Sequence, residues 1–140
     1  MNVQPDAYRT IAAPTSWPDR IGRGLMVLAT LATFVAFADG VRRMSVVSND
    51  RMWVEGWRTF AYLVFAGMCA LLAAWPRAQR GVWELLLGHK TALVVFAAVV
   101  GNIPEARLAG FVDLGLVVTV GLAYVLCHGW DAWRARPTAS

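Results

Sequence analysis

Hydrophobic residues in this chain are gathered into four long runs, separated by shorter polar stretches. A helix needs about 20 apolar residues to cross a hydrocarbon core of roughly 30 Å, and each run meets or approaches that length. The pattern predicts an all-α integral membrane four-helix bundle, a single membrane domain over residues 1–140 with residues 1–17 as a loose tail. The predicted spans are Gly22–Val41, Thr59–Pro76, Val82–Gly101 and Leu108–His128.

The polar stretches between the runs determine the connectivity. Spans two and three are joined by Arg77–Gly81, and spans three and four by Asn102–Arg107. Connections this short force neighbouring helices to be antiparallel, which gives an up-down bundle. The first connection is longer, and its Trp and Arg content predicts a segment over Met44–Arg58 that lies on the lipid headgroups. Ser16 followed by Pro18 predicts the start of the first helix.

Composition and charge support a membrane protein. The chain is 58% hydrophobic and 16% charged, with a mean hydropathy of +0.50, which excludes an ordinary soluble domain. The net charge is +4, but the arginines flank the spans as anchors for headgroups, so the expected partner is the lipid bilayer. There is no basic tract with interleaved aromatic residues, which argues against nucleic acid as a partner. All seven tryptophans lie near predicted span ends, as in an aromatic belt.

The distribution of arginines outside the spans predicts the orientation. Seven lie on the side that holds the two termini and the second connection, and five lie on the other side. This excess favours cytoplasmic termini in a multi-pass protein of the cell inner membrane. The first run also ends in Ala36-Phe37-Ala38, which resembles a signal-peptide cleavage site. The leader before the run is long and three spans would remain, so we expect this span to be retained.

Ionisable residues inside the spans are the candidates for a functional site, because a charge in the hydrocarbon core is costly. At a rise of ~1.5 Å per residue, Asp39 and Asp113 lie near one level, close to the surface opposite the termini. Asp39 is followed by Arg42 and Arg43 and has two possible roles, a salt bridge with these arginines at the interface or an acid pair with Asp113. The candidates are Asp39, Glu84, His89, Lys90 and Asp113.

Lys90 is the only lysine in the chain and the deepest positive charge. The rise per residue separates it from Asp113 by roughly 12 Å along the bundle axis. Both a direct ion pair and a polar site completed by water or a ligand are open. At ~100° per residue, Glu84, His89 and Lys90 cannot all face inward. His89 shares its face with bulky residues that suit lipid or a partner subunit, although a histidine would also suit a proton relay.

Other kinds of chemistry find little support in the residues. The two histidines lie on different helices and do not make a ligand set, so no metal or haem is expected. The chain has no motif of a nucleotide-binding protein, a serine hydrolase or a zinc protease. Its two cysteines form no CxxC pair, which argues against a thiol–disulfide relay. The cofactor is left open, with a quinone as one candidate.

The end of the first span carries a resemblance to a known family. Residues 37–44 read FADGVRRM, an aromatic residue and a glycine followed by basic residues. With the length and the four spans, this resembles the DoxX-like small bacterial membrane proteins. Arg42 and Arg43 stand where that family more often has a lysine, and Asp39 is an addition. The resemblance implies a four-helix membrane bundle, and it adds quinone or thiol redox partners as an expectation, since some members are linked to them.

These observations lead to three expectations for function. The first is an accessory or partner-binding subunit, or a binder of a lipid-like molecule such as a quinone, with Lys90, Asp113 and Glu84 lining a polar interior. The second is a small proton-coupled transporter or channel, forming a homo-oligomer, that uses the intramembrane charges including His89. The third is a membrane enzyme that acts on an isoprenoid or lipid through Asp39 and Asp113.

Overall fold

The computed structural model describes residues 16–134. Within them the chain is helical and contains no strand, which confirms the all-α four-helix fold. All four helices are long and apolar enough to cross a membrane, as expected of a multi-pass membrane protein. A short 3₁₀ helix follows the last of them. The helices are α1 Trp17–Met44, α2 Asn49–Ala74, α3 Val82–Val99 and α4 Pro104–Leu126, and the 3₁₀ helix is Gly129–Trp133.

The first helix begins where the sequence predicts. Ser16 is the N-cap residue and has extended backbone angles, although its hydroxyl makes no capping hydrogen bond. Pro18 occupies the first turn, where its missing N–H costs nothing. Residues 16 and 17 are therefore part of this helix start and not of a tail, while the rest of the predicted tail lies outside the described residues.

The second helix begins ten residues earlier than the predicted span, so that only residues 45–48 join it to α1. The segment predicted to lie on the headgroups forms the first turns of α2 instead. No proline interrupts this stretch, and its buried acid, Glu55, is paired with Arg58 one turn further on. With 26 residues α2 is roughly 39 Å long, longer than a ~30 Å hydrocarbon core, so its first turns reach headgroup level without leaving the helix.

The four helices do not form a closed ring of equal contacts. α1 packs against both α2 and α4, and α3 packs mainly against α4. α2 and α3 touch little, although they are consecutive in the chain, which leaves a seam between them. The core is built from residues of all four helices. Its fully buried members include Met26, Leu72, Trp83, Val120 and Ala123.

Small residues set the distance between α1 and its neighbours. A Cβ added at Gly40 would collide with the side chain of Thr59 on α2, and one added at Gly22 would lie 2.5 Å from the Sγ of Cys127. Helices in lipid associate through such close packing, because lipid chains are as apolar as the side chains they would replace. These two glycines therefore fix α1 between α2 and the end of α4.

Candidate functional site

The centre of the candidate site is an ion pair between α3 and α4. Lys90 Nζ donates a hydrogen bond of 2.7 Å to Asp113 Oδ1. The two side chains are only 8% and 11% exposed. From α2, the ring of Phe65 lies over the ammonium group, with its centroid 4.5 Å from Nζ, within the range of a cation–π interaction. Three helices thus meet at a buried charge pair.

This direct contact decides between the two arrangements that the sequence leaves open. The predicted axial offset is too large because α4 begins at Pro104 and not near Leu108. Four additional residues place Asp113 about 6 Å deeper in the helix, at ~1.5 Å per residue. The long lysine side chain spans the remaining distance, so the pair needs neither a water nor a ligand to bridge it.

His89 is next to Lys90 in sequence but faces a different environment. Its side chain is exposed, and its ring centroid lies 4.8 Å from that of Phe65 at an interplanar angle of 43°. The Phe65 ring therefore contacts both the buried ammonium group and the exposed imidazole. The imidazole is on the bulky, outward face that the sequence predicts for it, where Leu85 and Phe96 are also exposed.

A groove of about 910 Å³ runs along α2 from this point toward the start of that helix. Nine of its eleven lining residues belong to α2 and recur every three or four positions, so they form one face of that helix. The lining is apolar and rich in aromatic residues, and His89 is its only contribution from α3. The lining residues are Met44, Asn49, Met52, Trp53, Gly56, Trp57, Phe60, Ala61, Val64, Phe65 and His89.

Glu84 does not join this site. Its side chain is exposed near the start of α3, where Oε1 accepts hydrogen bonds from the Tyr124 hydroxyl at 3.2 Å and from Trp133 Nε1 at 3.0 Å. Glu84 therefore lies at the surface of the bundle and not in a polar interior with Lys90 and Asp113, as the sequence led us to expect. Glu84 precedes Lys90 by six residues, which places it on another face of α3 and about 9 Å nearer the helix start, at ~1.5 Å per residue.

Asp39 and Asp113 engage different cations. Asp39 accepts a hydrogen bond of 2.8 Å from Arg42 and one of 2.6 Å from Arg43, and it is partly exposed. This is the interfacial salt bridge, the first of the two arrangements that the sequence leaves open. Asp113 is paired with Lys90, so the contacts do not join the two carboxylates into an acid pair.

The buried carboxylate of Asp19, near the start of α1, escaped the sequence analysis. Asp19 is 1% exposed and accepts a hydrogen bond of 2.8 Å from each of Arg23 and Arg77. Arg23 also donates to the carbonyl oxygens of residues 73 and 74 at the end of α2, while Arg77 donates to that of Cys127. The acid–arginine spacing of four residues is the only local sign of this network. It holds the ends of α1, α2 and α4 together.

The two cysteines are free thiols, and both are buried. Cys127 lies just beyond the end of α4, beside the Asp19 network. Burial raises the pKa of its thiol to about 11, and the negative charge of Asp19 acts in the same direction. A thiolate is therefore disfavoured there at neutral pH, which removes the usual nucleophile of thiol chemistry.

No cluster of three metal-ligating side chains occurs among residues 16–134. Neither a protein-family model, nor a curated protein, nor a solved structure matches the chain.

Proposed function

We propose that this protein binds a lipid-like molecule with a small polar head and an apolar tail, such as a quinone, in the groove along α2 that ends at His89. One observation carries the proposal: an apolar groove of about 910 Å³ ends at the exposed imidazole of His89, beside a buried ion pair. Ligand sites are typically apolar with a few polar groups that fix the orientation of the ligand. A ligand of this kind reaches such a groove directly from the bilayer.

The residues at the inner end of the groove suit a planar head with carbonyl oxygens. The His89 ring can donate a hydrogen bond to such an oxygen, and the Phe65 ring beside it offers an aromatic face. Lys90 contributes a positive charge behind Phe65, held in place by Asp113. The exposed rings of Trp53 and Trp57 line the rest of the groove and add apolar contact area for the ligand.

In this proposal the protein is an accessory or carrier subunit, and any redox reaction of the ligand takes place on a partner. The resemblance of residues 37–44 to the DoxX-like proteins supports such a role, because some of those proteins are linked to quinone partners. The excess of arginines on the side of the termini supports a location in the bacterial inner membrane with both termini in the cytoplasm.

A binding titration with a short-chain ubiquinone tests the proposal. Quenching of tryptophan fluorescence by the quinone reports occupancy in the detergent-purified full chain. We expect saturable binding that His89→Ala weakens about five- to tenfold, the equivalent of one net hydrogen bond of ~1–1.4 kcal/mol. His128→Ala is the matched control, since His128 is exposed near the end of α4, away from the groove, and should leave binding unchanged.

Two results would refute the proposal. One is quenching that stays linear with quinone concentration, and the other is an equal effect of the two histidine variants. Native mass spectrometry of the purified protein then distinguishes the remaining roles. A retained non-phospholipid molecule supports ligand binding, while a co-purifying membrane protein supports a purely accessory subunit.

The buried Lys90–Asp113 pair favours one second candidate, a proton-coupled transporter. Ionisable residues inside membrane helices are typical of proton pathways, and this pair lies next to an exposed histidine. The test is solute or proton flux in liposomes as a function of pH. A flux that is independent of pH, or that Asp113→Asn leaves unchanged, would exclude this candidate.

A further inference from the structure

A second concavity lies at the opposite end of α2 from the start of the groove. Its volume is about 290 Å³, many times the roughly 30 Å³ that one water molecule takes up in the liquid, so it can hold a headgroup-sized molecule. The connection between α2 and α3 forms one wall, and the 3₁₀ helix with the residue after it forms the other. The lining residues are Arg77, Ala78, Arg80, Asp131, Ala132 and Arg134.

Two of the three arginines of this pocket are held by hydrogen bonds, and the third lies beside a carboxylate. Arg77 Nη1 donates to the carbonyl oxygen of Cys127 at 2.9 Å as well as to Asp19. Arg80 Nε donates to the carbonyl oxygen of Ala132 at 2.9 Å, and Arg134 Nε lies 3.1 Å from Asp131 Oδ1. A guanidinium group has five N–H donors, so these contacts leave the terminal amino groups of Arg80 and Arg134 for a further acceptor. Holding one edge also reduces the entropy that binding would cost.

The charge of the pocket is positive. Three guanidinium groups line it, against the single carboxylate of Asp131, and the carboxylate of Asp19 behind Arg77 is shared with Arg23. Arginine suits phosphate in particular, because its planar fork donates two parallel hydrogen bonds to phosphate oxygens. The pocket therefore has the charge and the donor geometry of a phosphate site.

The position of the pocket indicates where this phosphate comes from. It lies at the end of three membrane helices, and the exposed rings of Trp75, Trp130 and Trp133 lie at the same end. Tryptophan at a helix end marks the level of the lipid headgroups. We infer that the pocket binds the headgroup phosphate of an anionic phospholipid, such as phosphatidylglycerol. This inference does not depend on the groove, and either can fail without the other.

Native mass spectrometry with an equimolar mixture of phosphatidylglycerol and phosphatidylcholine tests this inference on the full chain. We expect the wild-type protein to retain phosphatidylglycerol preferentially. Arg80→Gln with Arg134→Gln should reduce that preference about 30-fold, from the attraction typical of two arginines near a membrane surface. Arg42→Gln with Arg107→Gln removes the same charge from exposed positions at the other end of the bundle and should preserve the preference.

Further variants separate binding from structure. Arg80→Lys with Arg134→Lys keeps the charge and should restore part of the preference. Because Arg80 also holds Ala132, the single variant Arg134→Gln provides a test if the double variant misfolds, since that side chain is 76% exposed. It should lose about fivefold in preference.

Three outcomes would overturn the inference. The wild-type protein could retain the two lipids equally, or both double variants could lose the preference to the same extent. Alternatively, excess inorganic phosphate could displace phosphatidylglycerol completely, which would make this a site for free phosphate and not for a lipid.

Discussion

Breaking the Lys90–Asp113 pair one residue at a time is expected to destabilise the protein strongly, while removing both charges together is not. Lys90→Met leaves Asp113 buried without its cation, and Asp113→Leu leaves Lys90 without its anion. Removal of one partner from a buried pair typically costs about 3–5 kcal/mol. A single charge at the centre of a membrane helix costs about 2.5–3.5 kcal/mol on insertion scales, which agrees. We therefore expect each single variant to lose about 3 kcal/mol, or roughly 100-fold in the unfolding equilibrium.

The double variant Lys90→Met with Asp113→Leu replaces both charged groups by apolar groups of similar size. Such replacements are often neutral or stabilising, so its free energy of unfolding should lie within about 1 kcal/mol of the wild-type value. With each single variant losing about 3 kcal/mol and the double variant at most about 1 kcal/mol, a double-mutant cycle should show an interaction energy of about 5 kcal/mol or more. By contrast, Arg42→Met at the exposed pair with Asp39 should cost less than about 1 kcal/mol.

The assay is equilibrium unfolding of the full chain in mixed micelles with an increasing fraction of SDS, followed by tryptophan fluorescence. Trp83 is fully buried in the core, so its emission reports the loss of helix packing. Two results would refute this prediction: single variants that lose less than about 1 kcal/mol of unfolding free energy, or a double variant whose loss equals the sum of the two single losses. In either case the charges would not depend on each other in the way that their contact implies.

Three further predictions concern the packing at Gly40, the buried carboxylate of Asp19 and the thiol of Cys127. Gly40→Ala forces a methyl group against Thr59 of the neighbouring helix and should cost about 1–3 kcal/mol in the same unfolding assay. Gly67→Ala, the control, meets open space and should be neutral or stabilising, and equal effects of the two would contradict the close packing of α1 against α2. Asp19→Asn removes the charged partner of two arginines and should cost about 1.5–3 kcal/mol, while Asp39→Asn, at the partly exposed pair, should cost less. The reverse order would rule out the Asp19 network as the stronger one. The thiol of Cys127, whose pKa burial raises to about 11, should resist maleimide at pH 7.5 until the protein unfolds, as measured by intact mass in a variant without the other cysteine. Rapid labelling of the folded protein would contradict its burial.

The helices and their order could be predicted because each depends on a local property of the sequence. Long apolar runs and short connections are enough to give four antiparallel helices. The start of α2 could not be placed, since a helix that continues into the headgroup region and a separate segment lying on it share the same composition. The contact between Glu55 and Arg58, three residues apart, is expected only if the stretch is already taken to be helical, so it could not identify the helix in advance.

The candidate site was partly predictable for a similar reason. Lys90 and Asp113 could be singled out because an isolated charge inside an apolar run needs a partner. Their direct contact could not be derived, because it depends on where α4 starts and on the reach of one side chain. The role of Asp19 was out of reach, since its partner Arg77 is 58 residues away. An acid in the first turn of a helix is ordinarily explained by the helix dipole alone.

The position of the ion pair on the last two helices has a consequence for how the protein is made. Synthesis runs from the N-terminus, so Lys90 emerges from the ribosome 23 residues before Asp113. If α3 entered the bilayer alone, it would carry an unneutralised ammonium group, at a cost of about 2.5–3.5 kcal/mol at the centre of a helix. A connection of only four residues, 100–103, joins α3 to α4. The two helices are therefore expected to leave the translocon together as a hairpin whose charges are already neutralised. That hairpin then docks through α4 onto α1, which precedes it in the chain.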